Sequence, residues 1–380
     1  MSSNRAWRAA IAASAVALLP CAPLRALSLT RGPYVGRPSD TRIAIAWRTD
    51  VPSTSRVDYG LEGETPLSAG SDDAVARHVV EIGDLQSGAV YQYQVFSDGV
   101  PLADISTFRA PRDASETSFR FGVIGDTAAA TDAQRDVPRR IADRLVESGV
   151  DFVIHMGDVV YPSGAESGYD EQFFVPLAHW LRVGPVLPAL GNHDVRSARG
   201  EPFLTDFALP ANGVTRQPRF YAFRQANALF VCLDVESSRF GEGSAQSNWL
   251  KKTLRDSDAT WKLVYFHEPP FSSHVSNHLV RLMLCPVFER LGVDVAFSGH
   301  VHLWERTWPL REFGGAGPGV VYVTEGGSGS PLTPFTAKPF SAFAASRHGW
   351  AEVQVEGGRL TILARDPDGA VFDSVVIEKP

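Results

Sequence analysis

The chain has 380 residues, of which 44% are hydrophobic and 21% are charged, and this is the composition of an ordinary globular protein. A chain of this length is too long for one small core and predicts two domains. The formal net charge of -7 gives no reason to expect nucleic acid or an anionic membrane as a partner. Such a protein repels an anionic substrate unless a local positive centre, such as a metal ion, attracts it.

The first 26 residues have the pattern of an export signal. Arg5 and Arg8 precede an apolar run over residues 9–19, and a small-residue region ends near Ala26. A membrane-anchoring helix is the alternative, but the apolar run is too short to span a bilayer. We therefore predict a signal peptide over residues 1–26 and a mature protein that is secreted or periplasmic, with no membrane partner once the signal is removed.

Two of the three cysteines would remain after cleavage, because Cys21 leaves with the signal. Cys232 lies in an apolar strand-like run, and Cys285 lies in a predicted helix. Their spacing allows either a disulfide bond or two buried free thiols, and we expect free thiols. The sequence has no Cys-x-x-Cys pair, which excludes a thiolate zinc site.

Residues 27–112 are predicted to form a small all-β domain. Short alternating segments, such as Ile43–Trp47 and Tyr91–Val95, are separated by turn signals without helical segments between them. Strands at this spacing favour a β-sandwich. Residues 110–113 have the composition of a linker to the next domain.

Residues 113–380 are predicted to form an α/β domain. A strand over Phe119–Ile124 is followed by Thr131, which can cap a helix that ends near Gly149. Further strands are predicted over residues 150–154, 185–190, 261–266 and 293–297, with a helix around residues 171–181. This alternation indicates βαβ units, and the hairpins of residues 348–378 are expected to close the sheet at its edge.

Polar side chains follow the predicted strands of this domain, at the point where each strand ends. They are Asp126, Asp158, Asn192, His267, His300 and His302. In α/β folds this edge is where ligands bind, because the loops there hold polar groups outside the packed core. A single Gly-Asp after a strand is a weak signal, since Asp often caps the following turn. Five such clusters in strand-helix order predict a site.

The clusters resemble the five-block signature of the calcineurin-like metallophosphoesterases. The matching blocks are Gly125-Asp126, Gly157-Asp158-Val159-Val160-Tyr161, Gly191-Asn192-His193-Asp194, Val264-Tyr265-Phe266-His267 and Gly299-His300-Val301-His302. The wider family has Asp-x-His in its first block, whereas here Asp126 is followed by Thr127 and Ala128. Tyr161, three residues after Asp158, stands where the purple acid phosphatase branch has a tyrosinate. The chain is therefore similar to that branch.

The resemblance implies a fold and a cofactor. The fold is a two-sheet metallophosphoesterase sandwich flanked by helices, preceded by a fibronectin type III-like sandwich. The cofactor is a pair of metal ions, Fe(III) and a divalent Fe, Zn or Mn ion, bridged by Asp158. The first ion takes Asp126, Asp158, Tyr161 and His302, and the second takes Asp158, Asn192, His267 and His300. Phenolate suits hard iron, while imidazole suits a softer divalent ion, and zinc or manganese at both positions is the alternative.

The resemblance also implies hydrolysis of a small phosphate monoester. His193 would donate a proton to the leaving group and Asp194 would orient it, although a structural role for His193 is the alternative. Asn192, His193 and His274 would contact the substrate, and His274 could also donate a proton. The position of His274 departs from the adjacent histidines of the plant-like pattern.

Two other functions remain open from the sequence. A phosphodiesterase or nucleotide pyrophosphatase could use the same scaffold, and an extracellular binding protein could carry the N-terminal module. Every ligand position of the signature is filled, which argues against a binding protein. Arg306 is expected either to contact phosphate or to pair with Glu305 at the surface. The loop over residues 326–330 is expected to bring its backbone close to the metal site. The sequence does not indicate an oligomeric state.

Overall fold

The computed structural model of the chain describes residues 27–37, 39–128, 131–215, 217–315 and 317–379. The predicted signal peptide, residues 1–26, lies outside the described residues. Within the described ranges, no helix is both long enough and apolar enough to cross a membrane.

The N-terminal segment is an antiparallel sheet of six strands. These are β1 (Leu29–Gly36), β2 (Ile43–Leu61), β3 (Leu67–Ile82), β4 (Val90–Ser97), β5 (Val100–Pro101) and β6 (Ser106–Arg109). Side chains of β4 alternate between buried and more exposed positions, as a strand with one core face requires. The start of β2 pairs with β1 and its end pairs with β4 around a separate apolar core. Its likeness to a fibronectin type III module stays a prediction.

Strands and helices alternate over most of residues 118–298, and only strands follow in the described part of the chain. In chain order they are β7 (Ser118–Ile124), α1 (Asp132–Ser148), β8 (Phe152–His155), α2 (Ala178–Leu181), β9 (Val186–Pro188), α3 (Glu201–Asp206), β10 (Tyr221–Gln225), β11 (Ala228–Cys232), α4 (Ala245–Asp256), β12 (Trp261–Tyr265), α5 (His278–Leu291), β13 (Val295–Ser298), β14 (Trp304–Thr307), β15 (Val321–Glu325), β16 (Ser341–Ala345), β17 (Trp350–Glu356), β18 (Arg359–Arg365) and β19 (Val371–Glu378).

These strands form two mixed sheets that pack face to face. One has the order β19-β18-β17-β7-β8-β9, and the other has the order β10-β11-β12-β13-β15-β14-β16. Aromatic rings fill the space between them: Phe121 lies 5.0 Å from Phe230 and 6.1 Å from Phe297 between ring centroids. Residues of α4 and α5 pack on the outer face of the second sheet. The predicted two-sheet α/β sandwich flanked by helices is confirmed.

The parallel strands place their carboxyl ends at one edge of the sandwich. Strands β7, β8 and β9 run parallel in the first sheet, and β11, β12, β13 and β15 run parallel in the second. Because every predicted polar cluster follows one of these strands, the clusters of both sheets meet at this edge.

Two elements differ from the sequence prediction. The helix expected around residues 171–181 is a π-helix over Asp170–Phe174 followed by the short α2, because Pro176 has no backbone N–H to continue a helix between them. The tail is not confined to the edge of the sheet: β17 pairs with β7 near the middle, and β19 forms the edge. Cys232 and Cys285 are buried free thiols, as expected.

A buried ion cluster joins the N-terminal sheet to the two-sheet sandwich. The guanidinium of Arg31 donates to Asp170 at 2.5 Å and to Asp206 at 2.6 Å. The hydroxyl of Tyr34 donates to the backbone carbonyl of Asp206 at 2.8 Å. Asp206 is buried and also pairs with Arg48, so two arginines of the N-terminal sheet neutralise its carboxylate in the interface.

Candidate metal centre

Three of the predicted ligands sit on left-handed backbone. Asp126, Asp158 and His300 have φ values of 53°, 56° and 66°, and each follows the end of β7, β8 or β13. Non-glycine residues rarely adopt this conformation, which costs roughly 1–3 kcal/mol and clusters at functional sites. The three turns direct polar side chains across the edge of the sandwich.

Glycines allow the loops of this edge to approach one another. A Cβ on Gly191 would lie 2.2 Å from the backbone nitrogen and Oδ1 of Asp158. A Cβ on Gly299 would lie 2.5 Å from Oδ2 of Asp126, and one on Gly326 would lie 2.9 Å from the same oxygen. Only glycine fits at these positions. The expectation that the loop over residues 326–330 brings its backbone close to the site is confirmed.

Asp126, Tyr161 and His302 form a first group. The Tyr161 hydroxyl lies 3.3 Å from Oδ1 of Asp126 and 3.1 Å from Nε2 of His302, and these last two atoms are 3.4 Å apart. Nδ1 of His302 lies 2.8 Å from the carbonyl oxygen of Pro331. A carbonyl only accepts, so Nδ1 carries the hydrogen and the neutral ring presents the Nε2 lone pair to the group.

Asn192, His267 and His300 form a second group. Oδ1 of Asn192 lies 3.1 Å from both Nε2 of His267 and Nδ1 of His300, and the two ring nitrogens are 3.2 Å apart. Nδ1 of His267 donates to the carbonyl oxygen of Met156 at 2.8 Å, so in the neutral ring the Nε2 lone pair faces this group as well. Converging lone pairs repel one another unless a cation or a proton lies between them.

Asp158 lies between the two groups. Its Oδ2 is 3.4 Å from Nε2 of His267, while its Oδ1 accepts the backbone N–H of His193 at 2.9 Å. One ligand atom from each of Asp126, Asp158 and His267 can be chosen so that all three lie within 4.8 Å of one another, and all three residues are buried. The structure thus brings together all seven residues predicted as ligands.

The charges of the two groups shift one another. Burial raises the pKa of Tyr161 far above its ordinary value, and the neighbouring Asp126 raises it further, so the phenol keeps its proton unless a cation offsets both effects. Burial lowers the pKa of His267, but Asp158 outweighs this and raises it well above the ordinary value. The pKa of Asp158 falls below its ordinary range because His267 outweighs the effect of its own burial.

His193 lies beside the cluster with one nitrogen directed toward it. Nδ1 donates to the carbonyl oxygen of Pro162 at 2.7 Å, and Nε2 lies 3.9 Å from Oδ2 of Asp158. The ring stands edge-on to Tyr161 at 4.4 Å between centroids. A quarter of its side chain is exposed.

The predicted orientation of His193 by Asp194 is wrong. The carboxylate of Asp194 is fully buried and accepts the backbone N–H groups of Asp158, Val159, Val160 and Gly191 at 2.9–3.3 Å. The ring of His193 is held by Pro162 instead. Asp194 therefore fixes the backbone turns that carry the ligands.

His274 lies outside the cluster. Its ring is exposed, and Nδ1 lies 3.0 Å from the carbonyl oxygen of Pro334. Pro334 lies in the same loop as Pro331, whose carbonyl oxygen accepts from His302. His274 therefore contacts the loop that holds His302.

Arg306 was expected to contact phosphate or Glu305, but it forms a two-pronged ion pair with Asp373 at 2.8 and 2.9 Å.

Two polar residues at this edge were not assigned from the sequence. Glu325 is buried at the end of β15 and accepts the backbone N–H of Gly327, and burial raises its pKa to about 8. Burial also raises the pKa of Glu236 to about 8, and Oε1 of this residue is buried without a hydrogen-bond partner among the described residues. Glu325 ends the parallel strand β15 and Glu236 follows the parallel strand β11, and this position was the available signal.

His155 is a buried residue that hydrogen-bonds to two loops of this edge. The Gly157 N–H donates to its Nδ1 at 3.1 Å, so Nε2 carries the hydrogen and donates to Thr127 Oγ1 at 2.8 Å. The ring thereby ties the loop after β7 to the loop after β8. Burial lowers the pKa of His155 to about 4, which keeps the ring neutral.

Comparison with known proteins identifies the domain. Residues 119–303 match the calcineurin-like phosphoesterase family. The chain carries a calcineurin-like phosphoesterase domain. It is 25% identical to acid phosphatase type 7 of Homo sapiens over 91% of this chain and 90% of that protein. It is 27% identical to Fe(3+)-Zn(2+) purple acid phosphatase 12 of Arabidopsis thaliana over 70% of this chain and 62% of that protein.

The fold of the chain agrees with that of a solved structure. The structure of purple acid phosphatase PPD1 from seeds of yellow lupin, Lupinus luteus, matches with a TM-score of 0.79 at 20% identity, over 91% of this chain and 74% of that one. The predicted resemblance of the chain to the purple acid phosphatases is confirmed.

Proposed function

We propose that this metallophosphoesterase hydrolyses phosphate monoesters with two metal ions of the purple acid phosphatase type. The observation that carries the proposal is the convergence of Asp126, Tyr161 and His302 on one side of Asp158. On its other side, Asn192, His267 and His300 converge with contacts of 3.1–3.2 Å. Similarity to acid phosphatases over most of the chain supports the choice of monoesters.

The residues fit the proposed pair of ions. Around the first position, Tyr161 supplies a phenol oxygen and Asp126 a carboxylate, and hard oxygen donors of this kind suit Fe(III). Around the second position, His267 and His300 supply imidazole and Asn192 an amide oxygen, which suit divalent Zn, Mn or Fe. Asp158 is within reach of both, and its negative charge reduces the repulsion between two cations.

When bound, the two ions supply attraction for the phosphoryl oxygens and make a water molecule a stronger nucleophile. The chain's own groups supply orientation and protons. His193, held at Nδ1 by the carbonyl oxygen of Pro162, would in its protonated form donate from Nε2 to the leaving alkoxide. The amide of Asn192 would orient a phosphoryl oxygen. His274 would contact the outer part of the substrate, because its ring is exposed beside the loop that holds His302.

The remaining assignments belong to the same proposal. Residues 1–26 would direct the chain to secretion or to the periplasm. Residues 27–112 would form the fibronectin-like domain, and residues 113–380 would form the catalytic domain. The separate apolar core of the N-terminal sheet supports this division.

The deciding experiment combines metal analysis, a visible spectrum and hydrolysis assays. Iron-loaded protein should contain two metal equivalents per chain and absorb visible light through charge transfer from the Tyr161 phenolate to iron. Tyr161→Phe should abolish that band, whereas Tyr59→Phe, at a tyrosine of the N-terminal sheet, should keep it. Assays with p-nitrophenyl phosphate and bis(p-nitrophenyl) phosphate separate monoesterase from diesterase.

The outcomes test separate parts of the proposal. Metal-replete protein that leaves both esters intact from acid to alkaline pH would refute a phosphoesterase. Faster turnover of the diester would replace monoesters by diesters as the substrate class. Active, colourless protein that contains no iron would contradict the iron assignment alone.

A further inference from the structure

A buried carboxylate close to the metal centre holds two loops that meet at His274. Glu305 lies three residues after His302 on β14 and is 1% exposed. Its Oε2 accepts the backbone N–H of Ser273 at 2.7 Å, and its Oε1 accepts the Ser273 hydroxyl at 2.6 Å. Oε1 also accepts the hydroxyl of Ser341, the first residue of β16. One carboxylate therefore joins the loop before α5 to the start of β16.

Ser273 also bonds to the loop of residues 331–340, which we call the rim loop. The backbone N–H of Lys338 donates to the Ser273 hydroxyl at 3.2 Å, and the backbone N–H of Thr336 donates to the Ser273 carbonyl oxygen at 3.4 Å. The N–H, the carbonyl oxygen and the hydroxyl of Ser273 are thus all hydrogen-bonded. Because two of these three groups bond to Glu305, the carboxylate fixes Ser273 against the rim loop.

The rim loop contacts two histidines of the site. The carbonyl oxygen of Pro331 accepts from Nδ1 of His302 at 2.8 Å. Three residues later, the carbonyl oxygen of Pro334 accepts from Nδ1 of His274 at 3.0 Å. His274 directly follows Ser273 in the chain, so both its backbone and its ring are joined to the rim loop. The position of the His274 ring therefore depends on how firmly the two loops are held together.

We propose that Glu305 is a positioning residue for substrate binding, which holds Ser273 and thereby the ring of His274. Because Nδ1 of His274 is occupied by Pro334, Nε2 is left to meet the outer part of the phosphate ester. Without the carboxylate, the ester must order this loop when it binds, and that cost raises KM. The metal ligands and His193 lie on other turns, so kcat is largely kept. This inference rests on the proposed function, in which His274 contacts the substrate.

The test is a double-mutant cycle between Glu305 and His274. Glu305→Gln keeps the size of the side chain but replaces one acceptor oxygen by a donor. Metal-loaded wild type, both single variants and the double variant with His274→Ala are assayed with p-nitrophenyl phosphate. For Glu305→Gln we expect KM to rise about tenfold, with kcat within about twofold of wild type and metal content unchanged. In the His274→Ala background the same replacement should raise KM by less than about twofold, because the ring that it positions is absent.

Glu289→Gln is the matched control. Glu289 is also a buried glutamate that accepts backbone N–H groups of a loop, from Glu312 at 2.7 Å and from Phe313 at 2.8 Å. It lies near the end of α5 and before β13, whereas the site lies after β13, so this variant should leave KM unchanged. Ser273→Ala tests the same link from the other side. It should raise KM by a smaller factor than Glu305→Gln, because its backbone N–H still bonds to the carboxylate.

Hydrogen exchange gives a measurement that does not depend on activity. By mass spectrometry, peptides that cover residues 268–278 and 331–341 should exchange faster in Glu305→Gln than in wild type, and the peptide that covers residues 312–315 should not. Unchanged exchange in the first two peptides would refute the holding role, whatever the kinetics show.

The kinetic outcomes decide whether Glu305 acts through His274. An equal rise in KM with and without the His274 ring would overturn the inference. Loss of bound metal, or a fall in kcat with KM unchanged, would overturn it as well, because the effect would then lie at His302. Wild type that hydrolyses no ester would refute the proposed function and with it the role in substrate binding, whereas the exchange data would still decide whether Glu305 holds the loop.

Discussion

Replacement of Gly191 by alanine tests whether the close approach of two loops sets the geometry of the metal centre. The new Cβ would lie 2.2 Å from both the backbone nitrogen and Oδ1 of Asp158. Non-bonded heavy atoms are ordinarily about 3.5 Å apart, so the loop that carries Asn192 must move away from Asp158 by about 1 Å. A misplacement of about 1 Å lowers catalysis by about 100-fold. We expect that loss in kcat/KM for p-nitrophenyl phosphate.

The assay measures metal content and turnover on the same preparation. Gly191→Ala should also bind fewer than two metal equivalents, because Asn192 and Asp158 are proposed to hold the same ion. Gly241→Ala is the matched control, since the nearest atom to its Cβ would be Met283 Sδ at an ordinary 3.9 Å. A folded Gly191→Ala protein with two metal equivalents and activity within about threefold of wild type would refute the argument from loop approach.

Three further predictions concern residues that support the site. Burial lowers the pKa of His155 from 6.5 to about 4, so as the pH falls the unfolded chain takes up the proton before the folded protein does. Between about pH 6.5 and pH 4, His155 should therefore cost the metal-free protein about 3 kcal/mol of unfolding free energy. Denaturant titrations at several pH values measure this loss, which should be absent in His155→Gln. Phe121→Ala should lower the unfolding free energy by about 3–5 kcal/mol in the same titrations, because this buried ring packs against Phe230 and Phe152. A loss under about 1 kcal/mol would contradict that packing. Asp194→Asn should reduce metal content and kcat by the same factor in the wild-type and His193→Ala backgrounds, because Asp194 acts on the backbone turns and not on His193. If the loss disappears when His193 is replaced, Asp194 does orient His193.

The placement of the ligands could be predicted from the sequence because it follows from local pattern and topology. Short apolar runs mark strands, and each run ends in a polar residue such as Asp126 or His267. Parallel strands joined by helices place those ends at one edge, so residues far apart in the chain meet there. The rule predicts where polar residues meet, whereas the assignment of each residue as a ligand, and of Tyr161 above all, came from the resemblance to the purple acid phosphatases.

The supporting contacts could not be predicted, because they depend on three-dimensional packing. Glu325 is the last residue of a strand, and only its burial separates it from an ordinary surface glutamate. The partner of Arg306 is Asp373, which lies on the last strand rather than at the neighbouring residue. The sequence places Asp194 next to His193, whereas the chain turns the two side chains in different directions.

The contacts of Asp194 explain how the chain holds Asp158 in place. Asp158 has left-handed backbone, which would relax to an ordinary turn if nothing opposed it. Asp194 accepts three successive N–H groups of that turn, from Asp158 to Val160, and the N–H of Gly191 on the opposing loop. Burial raises the pKa of Asp194 to about 7, so we count each hydrogen bond at the ordinary value of about 0.5–1.5 kcal/mol, and the four together still offset the roughly 1–3 kcal/mol of strain at one residue. The protein itself therefore fixes the carboxylate of Asp158 between the two ligand groups, and a pair of ions would meet a ligand that needs little rearrangement.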